Sequence, residues 1–115
     1  RQMEPKEILI RSNNQIRAVP ADDSYYIESS NRKVILYLKH EKIEYYDKIS
    51  GLEEQLKPDF FRIHKGYLIN LKYVQQYHRT EVSMQNGDIL PISKYKYQNF
   101  VKAYQEYCSG TEECF

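Results

Sequence analysis

Three short polar segments of this chain combine cationic side chains with turn-forming residues. The second along the chain, His64-Lys65-Gly66, separates two apolar runs at residues 60–63 and 67–71. A charged tip costs little to expose and a great deal to bury, so the pattern predicts a bend that directs Lys65 away from the core. Such a lysine either meets a negatively charged partner or is a solvated charge, and its spacing alone does not separate the two.

The third segment along the chain begins at Ser93, which is predicted to cap a helix running from residue 94 to about residue 107. Lys94 and Lys96 would then lie in the first turn, where a cation is disfavoured by roughly 0.3 to 1 kcal/mol. A phosphate at this helix terminus would be bound by free N–H groups, the helix dipole and both ammonium groups. The alternative is two solvated lysines on an exposed helix.

The first segment along the chain, Asn31-Arg32-Lys33, separates two predicted strands and by itself resembles an ordinary turn. Two further polar residues are predicted to serve the structure. His64 is expected to be hydrogen-bonded beside its bend rather than to act as a base or ligand. Asn70, enclosed by apolar neighbours, is expected to be a buried or turn amide that satisfies backbone groups rather than a direct reader of a partner.

The sequence gives little support for an enzyme. No serine or cysteine lies in a nucleophile motif, and the four glycines form no phosphate-binding loop. His40, His64 and His78 lack the paired spacing of zinc ligands, so neither a metal nor a cofactor is predicted. Cys108 and Cys114 are interpreted as free thiols of a loose tail, with a redox switch as the alternative.

Length and charge favour a single soluble domain. A chain of 115 residues can bury one core, and its formal net charge is only +1. The charges are uneven, because residues 58–107 carry seven basic and four acidic side chains, which is compatible with a basic face. No apolar run approaches the roughly 18 residues of a membrane span, and no signal peptide opens the chain, so a cytoplasmic protein without a membrane partner is predicted.

Periodicity and turn signals predict a chain rich in strands. Twelve tyrosines and four phenylalanines suit half-buried strands. The turn pairs Asn13-Asn14 and Asn86-Gly87 predict hairpins, and Ser50 with Glu53 matches a capping box that would open a short helix ending near Pro58. The close spacing of the first five strands favours a sandwich-like all-β unit over alternating strands and helices. Strands are predicted at residues 6–12, 15–19, 24–28, 33–38, 42–46, 60–63, 67–77 (as one strand or two), 81–84 and 88–92.

Three blocks of the sequence together resemble a known family. They are residues 24–29 (SYYIES), 60–70 (FFRIHKGYLIN) and 86–97 (NGDILPISKYKY). In this order they are similar to the LytTR DNA-binding domain, the output module of LytR/AgrA-type bacterial response regulators, over about residues 8–104. The resemblance implies a mainly β fold, an elongated arrangement of short antiparallel sheets with a short central helix and a C-terminal helix. Residues 1–5 are expected to be a linker, 6–107 the domain and 108–115 a tail.

The resemblance also implies sequence-specific binding of double-stranded DNA by loops that enter successive major grooves. Carried over by position, Lys65 and Lys94 would contact bases. The first loop is shorter than in some relatives, so the choice there between Arg32 and Lys33 stays open. Many relatives have arginine where this chain has Lys94, and lysine lacks the bidentate geometry for guanine, so base discrimination there is expected to be weaker.

Other residues near these loops receive supporting roles. The candidates for contacts with the DNA backbone are Arg62, Lys72, Arg79, Lys96 and Ser93, and the alternative for any of the four cations is a simply solvated charge. The residues expected to support the site are His64, Gly66 and Asn70.

The leading hypothesis is therefore the DNA-binding domain of a transcriptional regulator with no catalytic activity. It would bind repeated half-sites as a dimer and follow an N-terminal receiver or other regulatory domain in the full-length protein. The alternative is a protein-interaction module that uses exposed strand edges and the tyrosine-rich surface without binding nucleic acid.

Overall fold

The computed structural model describes residues 6–110, which form three antiparallel sheets, two α-helices and three short 3-10 helices. The described chain measures 42 × 33 × 25 Å along its principal axes. The strands are β1 (Glu7–Ser12), β2 (Gln15–Pro20), β3 (Ser24–Ser30), β4 (Lys33–Leu38), β5 (Lys42–Tyr46), β6 (Phe60–His64), β7 (Tyr67–Asn70), β8 (Val74–His78), β9 (Glu81–Met84) and β10 (Ile89–Pro91). The helices are α1 (Ile49–Gln55) and α2 (Tyr97–Ser109), and the 3-10 helices are Ala21–Asp23, Leu71–Tyr73 and Lys94–Lys96.

A five-stranded sheet in the order β5-β4-β3-β7-β6 forms the middle layer of the fold. Because successive side chains of a strand point to opposite faces, β3 and β7 contribute to two separate cores. Ile27 and Leu68 lie in the core shared with β1, β2 and α1. Tyr26 and Ile69 lie in the core shared with the β8-β9-β10 sheet and α2, which inserts the fully buried Phe100. The mainly β class with its central and C-terminal helices is confirmed.

The turn signals read from the sequence are confirmed. Asn13 and Asn14 both have positive φ, 52° and 63°, and join β1 to β2. Gly87 has a φ of 95° between β9 and β10, where the Asn86 side chain accepts a hydrogen bond from the N–H of Asp88. Asn31, with a φ of 59°, starts a turn between β3 and β4 that is tighter than predicted, because β3 continues to Ser30. Residues 67–77, predicted as one strand or two, form two strands with the 3-10 helix Leu71–Tyr73 between them.

Both helix starts differ from the prediction. Helix α1 begins at Ile49 with Lys48 in the N-cap position, and no capping box forms around Ser50. The earlier start turns both Ile49 and Leu52 into the core, and this burial outweighs a local cap. The predicted single C-terminal helix is divided into the 3-10 helix Lys94–Lys96 and helix α2.

The C-terminal helix also extends further than predicted. Helix α2 ends at Ser109, so Cys108, placed by the sequence in a loose tail, lies half-buried in the last helical turn. Cys114, the other cysteine of that prediction, lies outside the described residues.

Candidate nucleic-acid interface

Backbone hydrogen bonds bring the first two polar segments to the same end of the middle sheet. Strand β3 pairs with β7, and Glu28 lies opposite Tyr67. One residue beyond this pairing, the N–H of Ser29 donates a 2.9 Å hydrogen bond to the carbonyl of Gly66. The turn that carries Asn31 and Arg32 therefore lies beside the bend that carries Lys65.

The third segment joins the same end through strand β6. The N–H of Ser93 donates a 2.8 Å hydrogen bond to the carbonyl of Ile63, two residues before Lys65. Lys94 follows at once, in a 3-10 turn closed by a 2.9 Å bond from the N–H of Lys96 to the carbonyl of Ser93. The structure thus assembles all three polar segments on one end of the molecule, although they lie about thirty residues apart in sequence.

The bend at Lys65 is held by its immediate neighbours. The register of β6 against β7 shifts between Arg62 and His64. The ring nitrogen Nδ1 of His64 accepts a 3.0 Å hydrogen bond from the N–H of Gly66, and the Arg62 guanidinium donates to the carbonyl of Lys65 at 2.7 Å. The Lys65 side chain is exposed. Gly66 lies outside the positive-φ region, and a Cβ there would lie 3.5 Å from the His64 ring, an ordinary contact.

Arg32 and Lys33 have different surroundings at the first turn. The Nζ atom of Lys33 lies 3.9 Å from a Glu44 carboxylate oxygen and 4.9 Å from the centre of the Tyr46 ring, and the residue is half-buried. Arg32, next to it, is exposed. Lys33 is therefore directed along the sheet edge, whereas Arg32 occupies the tip.

In the third segment, the first cation is exposed and the second is half-buried. Lys94 is exposed, with Nζ 5.9 Å from the centre of the Tyr95 ring, and Tyr95 is 85% exposed. Lys96 is half-buried in the N-cap position of α2. The side chain of Ser93 makes no capping hydrogen bond, so this residue contributes through its backbone.

The remaining candidates for DNA backbone contacts differ in how far they are engaged within the protein. Lys72 has Nζ 3.7 Å from an Asp22 carboxylate oxygen, and the guanidinium of Arg79 lies 5.3 Å from the centre of the Tyr97 ring. Both residues are exposed. Arg62 instead has a side chain only 21% exposed, which contacts Glu53 and the Lys65 carbonyl.

Asn70 is fully buried behind the interface and satisfies backbone groups on two sides. Its amide nitrogen donates to the carbonyl of Ser24 at 3.1 Å, and its side-chain oxygen accepts from the N–H of Lys72 at 3.0 Å. These bonds close the turn between β7 and the 3-10 helix Leu71–Tyr73. Asn70 therefore has no free polar group for a partner.

A tyrosine–carboxylate network lies beneath the first two turns, and the sequence did not reveal it. Glu28 accepts hydrogen bonds from Tyr37 at 2.6 Å and from Tyr67 at 3.4 Å, while Tyr26 stacks on Tyr37 with ring centres 4.3 Å apart. Burial, followed by the Glu28 carboxylate, raises the pKa of Tyr37 to about 12. Burial and a 2.7 Å hydrogen bond to Asp88 raise the pKa of Tyr26. The one available signal was Glu28 itself, a lone carboxylate within an otherwise uncharged strand.

Within residues 6–110, no three histidine, cysteine, aspartate or glutamate side chains come together as metal ligands would. Neither helix formed by these residues is long and apolar enough to cross a bilayer.

Comparison with known proteins places this arrangement in a family. A family model described as the LytTr DNA-binding domain matches residues 14–105, a segment that includes all three polar segments. The chain belongs to the LytTR family. No curated protein sequence matches the LytTR chain.

A solved structure has the same fold as this LytTR domain. It is the LytTr DNA-binding domain of a Bacillus cereus protein assigned as a methyl-accepting/DNA response regulator. The two superpose with a TM-score of 0.70 at 19% sequence identity, covering 90% of this chain and 98% of the other. The family is one of DNA-binding domains rather than enzymes, and membership supports DNA binding by a regulator.

Proposed function

We propose that this LytTR domain binds double-stranded DNA sequence-specifically by inserting its three polar segments into successive major grooves. The observation that carries the proposal is the pair of backbone hydrogen bonds, Ser29 to Gly66 and Ser93 to Ile63, that gathers the segments at one end of the sheet. Loops fixed to strands in this way can read several base steps without a recognition helix. Because the backbone of such loops is already ordered, binding incurs little further cost for ordering the loops themselves.

Base contacts are assigned to the exposed cation of each segment: Arg32, Lys65 and Lys94. Arg32 is preferred to Lys33 because the Lys33 ammonium already lies beside a carboxylate and an aromatic ring. A guanidinium at the tip can make a bidentate contact with guanine. Lys65 and Lys94 offer point charges with less directional preference.

Contacts with phosphates are assigned to Lys72, Arg79 and Lys96 and to the backbone around Ser93. The formal net charge of +1 indicates that binding depends on a few placed cations rather than on a broad positive field. With fewer than about ten phosphate contacts, log K should fall with log salt by about 0.9 per contact. Affinity that is the same at low and physiological salt would contradict the proposal.

The wider setting of the domain follows from the same function. We infer a cytoplasmic transcriptional regulator in which two LytTR domains bind adjacent half-sites, and in which a receiver or other regulatory domain precedes this one. Selection of bound sequences from random duplexes would give the half-site and its spacing together. Recovered sites with only one copy of the motif would argue against the paired arrangement.

The central experiment separates base contacts from phosphate contacts. Titrations of Lys65→Ala and Lys94→Ala with the selected duplex and with a random duplex should show a lower preference for the selected site. A good bidentate base contact supplies about 1 to 3 kcal/mol of discrimination, or about 5- to 150-fold, so the change for each lysine should lie toward the lower end of that range. Lys72→Ala is the matched control, since it should weaken both titrations alike. Equal losses on both duplexes for all three variants would overturn the base-contact assignment.

A protein-interaction module is the second candidate, and the outer face of the β1–β2 sheet favours it. Ile16 is 65% exposed and Leu9 is 45% exposed, although both lie in strands. Their cross-strand partners Arg11 and Ala18 are exposed as well. Anisotropy titration of a random duplex pool at low salt separates the two functions cheaply, because a protein-interaction module would not bind the duplexes.

A further inference from the structure

We propose that Arg62 and Glu53 form a positioning pair that fixes Lys65 for base readout without touching DNA. The inference rests on the proposed function, and it gives Arg62 a role different from the phosphate contact expected from the sequence. Its basis is the way in which one peptide unit, between Lys65 and Gly66, is held at both of its polar ends.

The carbonyl end of this peptide is bound by Arg62. The guanidinium donates to the Lys65 oxygen from Nη2 at 2.7 Å and from Nε at 3.3 Å, so two parallel donors converge on one acceptor. Hydrogen bonds from a charged donor are stronger than neutral ones. Because two of its donors are already engaged within the bend, Arg62 is poorly placed to reach a phosphate.

The N–H end of the same peptide is bound by His64. Its Nδ1 atom accepts from the Gly66 N–H at 3.0 Å, and the Gly66 carbonyl in turn accepts from the N–H of Ser29. Rotation of the Lys65–Gly66 peptide would therefore break the bonds at both ends. Since this peptide adjoins the Cα atom of Lys65, its orientation fixes the direction in which the lysine side chain leaves the bend.

Glu53 orients Arg62 from the opposite side. Nη1 of Arg62 lies 3.3 Å from a Glu53 carboxylate oxygen, and the two side chains are only 21% and 26% exposed. An ion pair with this degree of burial is less screened by salt than an exposed one. Arg62 lies on the same face of β6 as Phe60, the face covered by α1, so Glu53 connects the helix to the bend.

For Glu53→Gln, a positioning role and a purely electrostatic role predict opposite changes in affinity for the selected DNA site. Glu53→Gln removes a negative charge, so a purely electrostatic effect would strengthen binding to every duplex. A positioning role instead predicts weaker binding to the selected site, on the order of the tenfold loss expected from one charged hydrogen bond. Affinity for a random duplex should be unchanged or slightly higher.

Arg62→Lys provides the second variant, because it keeps the charge and loses the planar fork. For a phosphate contact, affinity for both duplexes and the salt slope should be preserved. For a positioning role, selectivity should fall by a similar factor while the salt slope stays that of the wild type. Lys72→Gln is the matched control, with a salt slope smaller by about 0.9 and unchanged selectivity.

A measurement without DNA separates failure of this inference from failure of the proposed function. Hydrogen exchange at the Gly66 amide should be faster in Arg62→Lys and Glu53→Gln than in the wild type, while exchange at the Ile69 amide in β7 should be unchanged. If exchange is faster in both variants but the wild-type protein selects no DNA sequence, the proposed function is rejected and the positioning pair is retained. Unaltered exchange or retained selectivity in Arg62→Lys would each overturn the positioning role.

Discussion

The backbone N–H of Ser93 donates a 2.8 Å hydrogen bond to the carbonyl oxygen of Ile63. Ile63 is fully buried and lies two residues before Lys65, whereas Ser93 lies one residue before Lys94. The bond therefore couples two candidate base contacts, one in the bend after β6 of the middle sheet and one in the 3-10 helix after β10. The serine hydroxyl has no part in it, and this separates the role of the backbone from that of the side chain.

Ser93→Pro tests this bond, because proline removes the N–H donor. Ser93 has a φ of −61°, which proline adopts without strain. We expect the free energy of unfolding to fall by about 1 to 3 kcal/mol, because the carbonyl of the buried Ile63 loses its donor. Preference for the selected duplex should also fall, because Lys94 is no longer held relative to Lys65. Urea denaturation and duplex titration measure the two effects.

Ser93→Ala is the control for that experiment. It retains the N–H group and removes only a hydroxyl that makes no capping bond. Stability and selectivity should both stay close to those of the wild type. A loss in the alanine variant as large as in the proline variant would assign the role to the hydroxyl instead.

Substitution by alanine is expected to change the stability of the protein differently at Gly66 and at Gly87. Gly87 has a φ of 95°, where a Cβ atom costs about 1 to 2 kcal/mol, so Gly87→Ala should destabilise the protein by that amount. Gly66 lies outside this region, and its added Cβ would make only an ordinary contact with the His64 ring. Gly66→Ala should leave stability unchanged or raise it by up to about 1 kcal/mol.

Urea denaturation of the two glycine variants under identical conditions provides the comparison. The sequence marked both glycines as parts of turns, and only the backbone conformation distinguishes them. A greater loss of stability at position 66 than at position 87 would contradict the conformation described for the bend.

Stability should decrease at alkaline pH because of the tyrosine network. The pKa of Tyr37 is raised from its ordinary value of 10.0 to about 12, first by burial and then by Glu28. The folded protein therefore retains this proton at pH values where the unfolded chain has lost it. The stabilisation is fully present below pH 10.0 and is lost as pH rises toward about 12.

Tyr37→Phe and Glu28→Gln test the origin of this alkaline loss. The phenylalanine variant should show a shallower decrease in the free energy of unfolding above pH 10.0, because it has no phenol to ionise at this position. The glutamine variant should reduce the decrease only in part, since burial remains. Urea titrations at a series of alkaline pH values give the slopes, and a slope as steep in Tyr37→Phe as in the wild type would remove Tyr37 from the explanation.

Local signals predicted most of the strands and turns. Strands β4, β5 and β9 have the predicted bounds, because in each of them more buried positions alternate with less buried ones between clear turn residues. The helix starts were less accurate. A capping box competes with burial of the first helical turn, and the side chains of Ile49 and Leu52 decided the outcome at α1.

The candidate site was predicted as a set of residues but not as an arrangement. Each cationic turn was recognised from its own neighbours, and the family resemblance supplied their common purpose. The partners of Arg62 and Lys33 were not predicted, since Glu53 and Glu44 reach them through the pairing of separate elements. No periodicity in the sequence records which carboxylate will lie opposite which cation.

The sequence by itself determined the features that depend on short stretches of chain: the alternation of the strands, the positive-φ turns at Asn13-Asn14 and Gly87, and the motifs of the LytTR family. Only the tertiary structure decided that three distant turns share one end of the molecule. The physical reason is that turn and strand preferences are local steric effects, whereas the bonds from Ser29 to Gly66 and from Ser93 to Ile63 join groups whose separation in sequence carries no information about their distance.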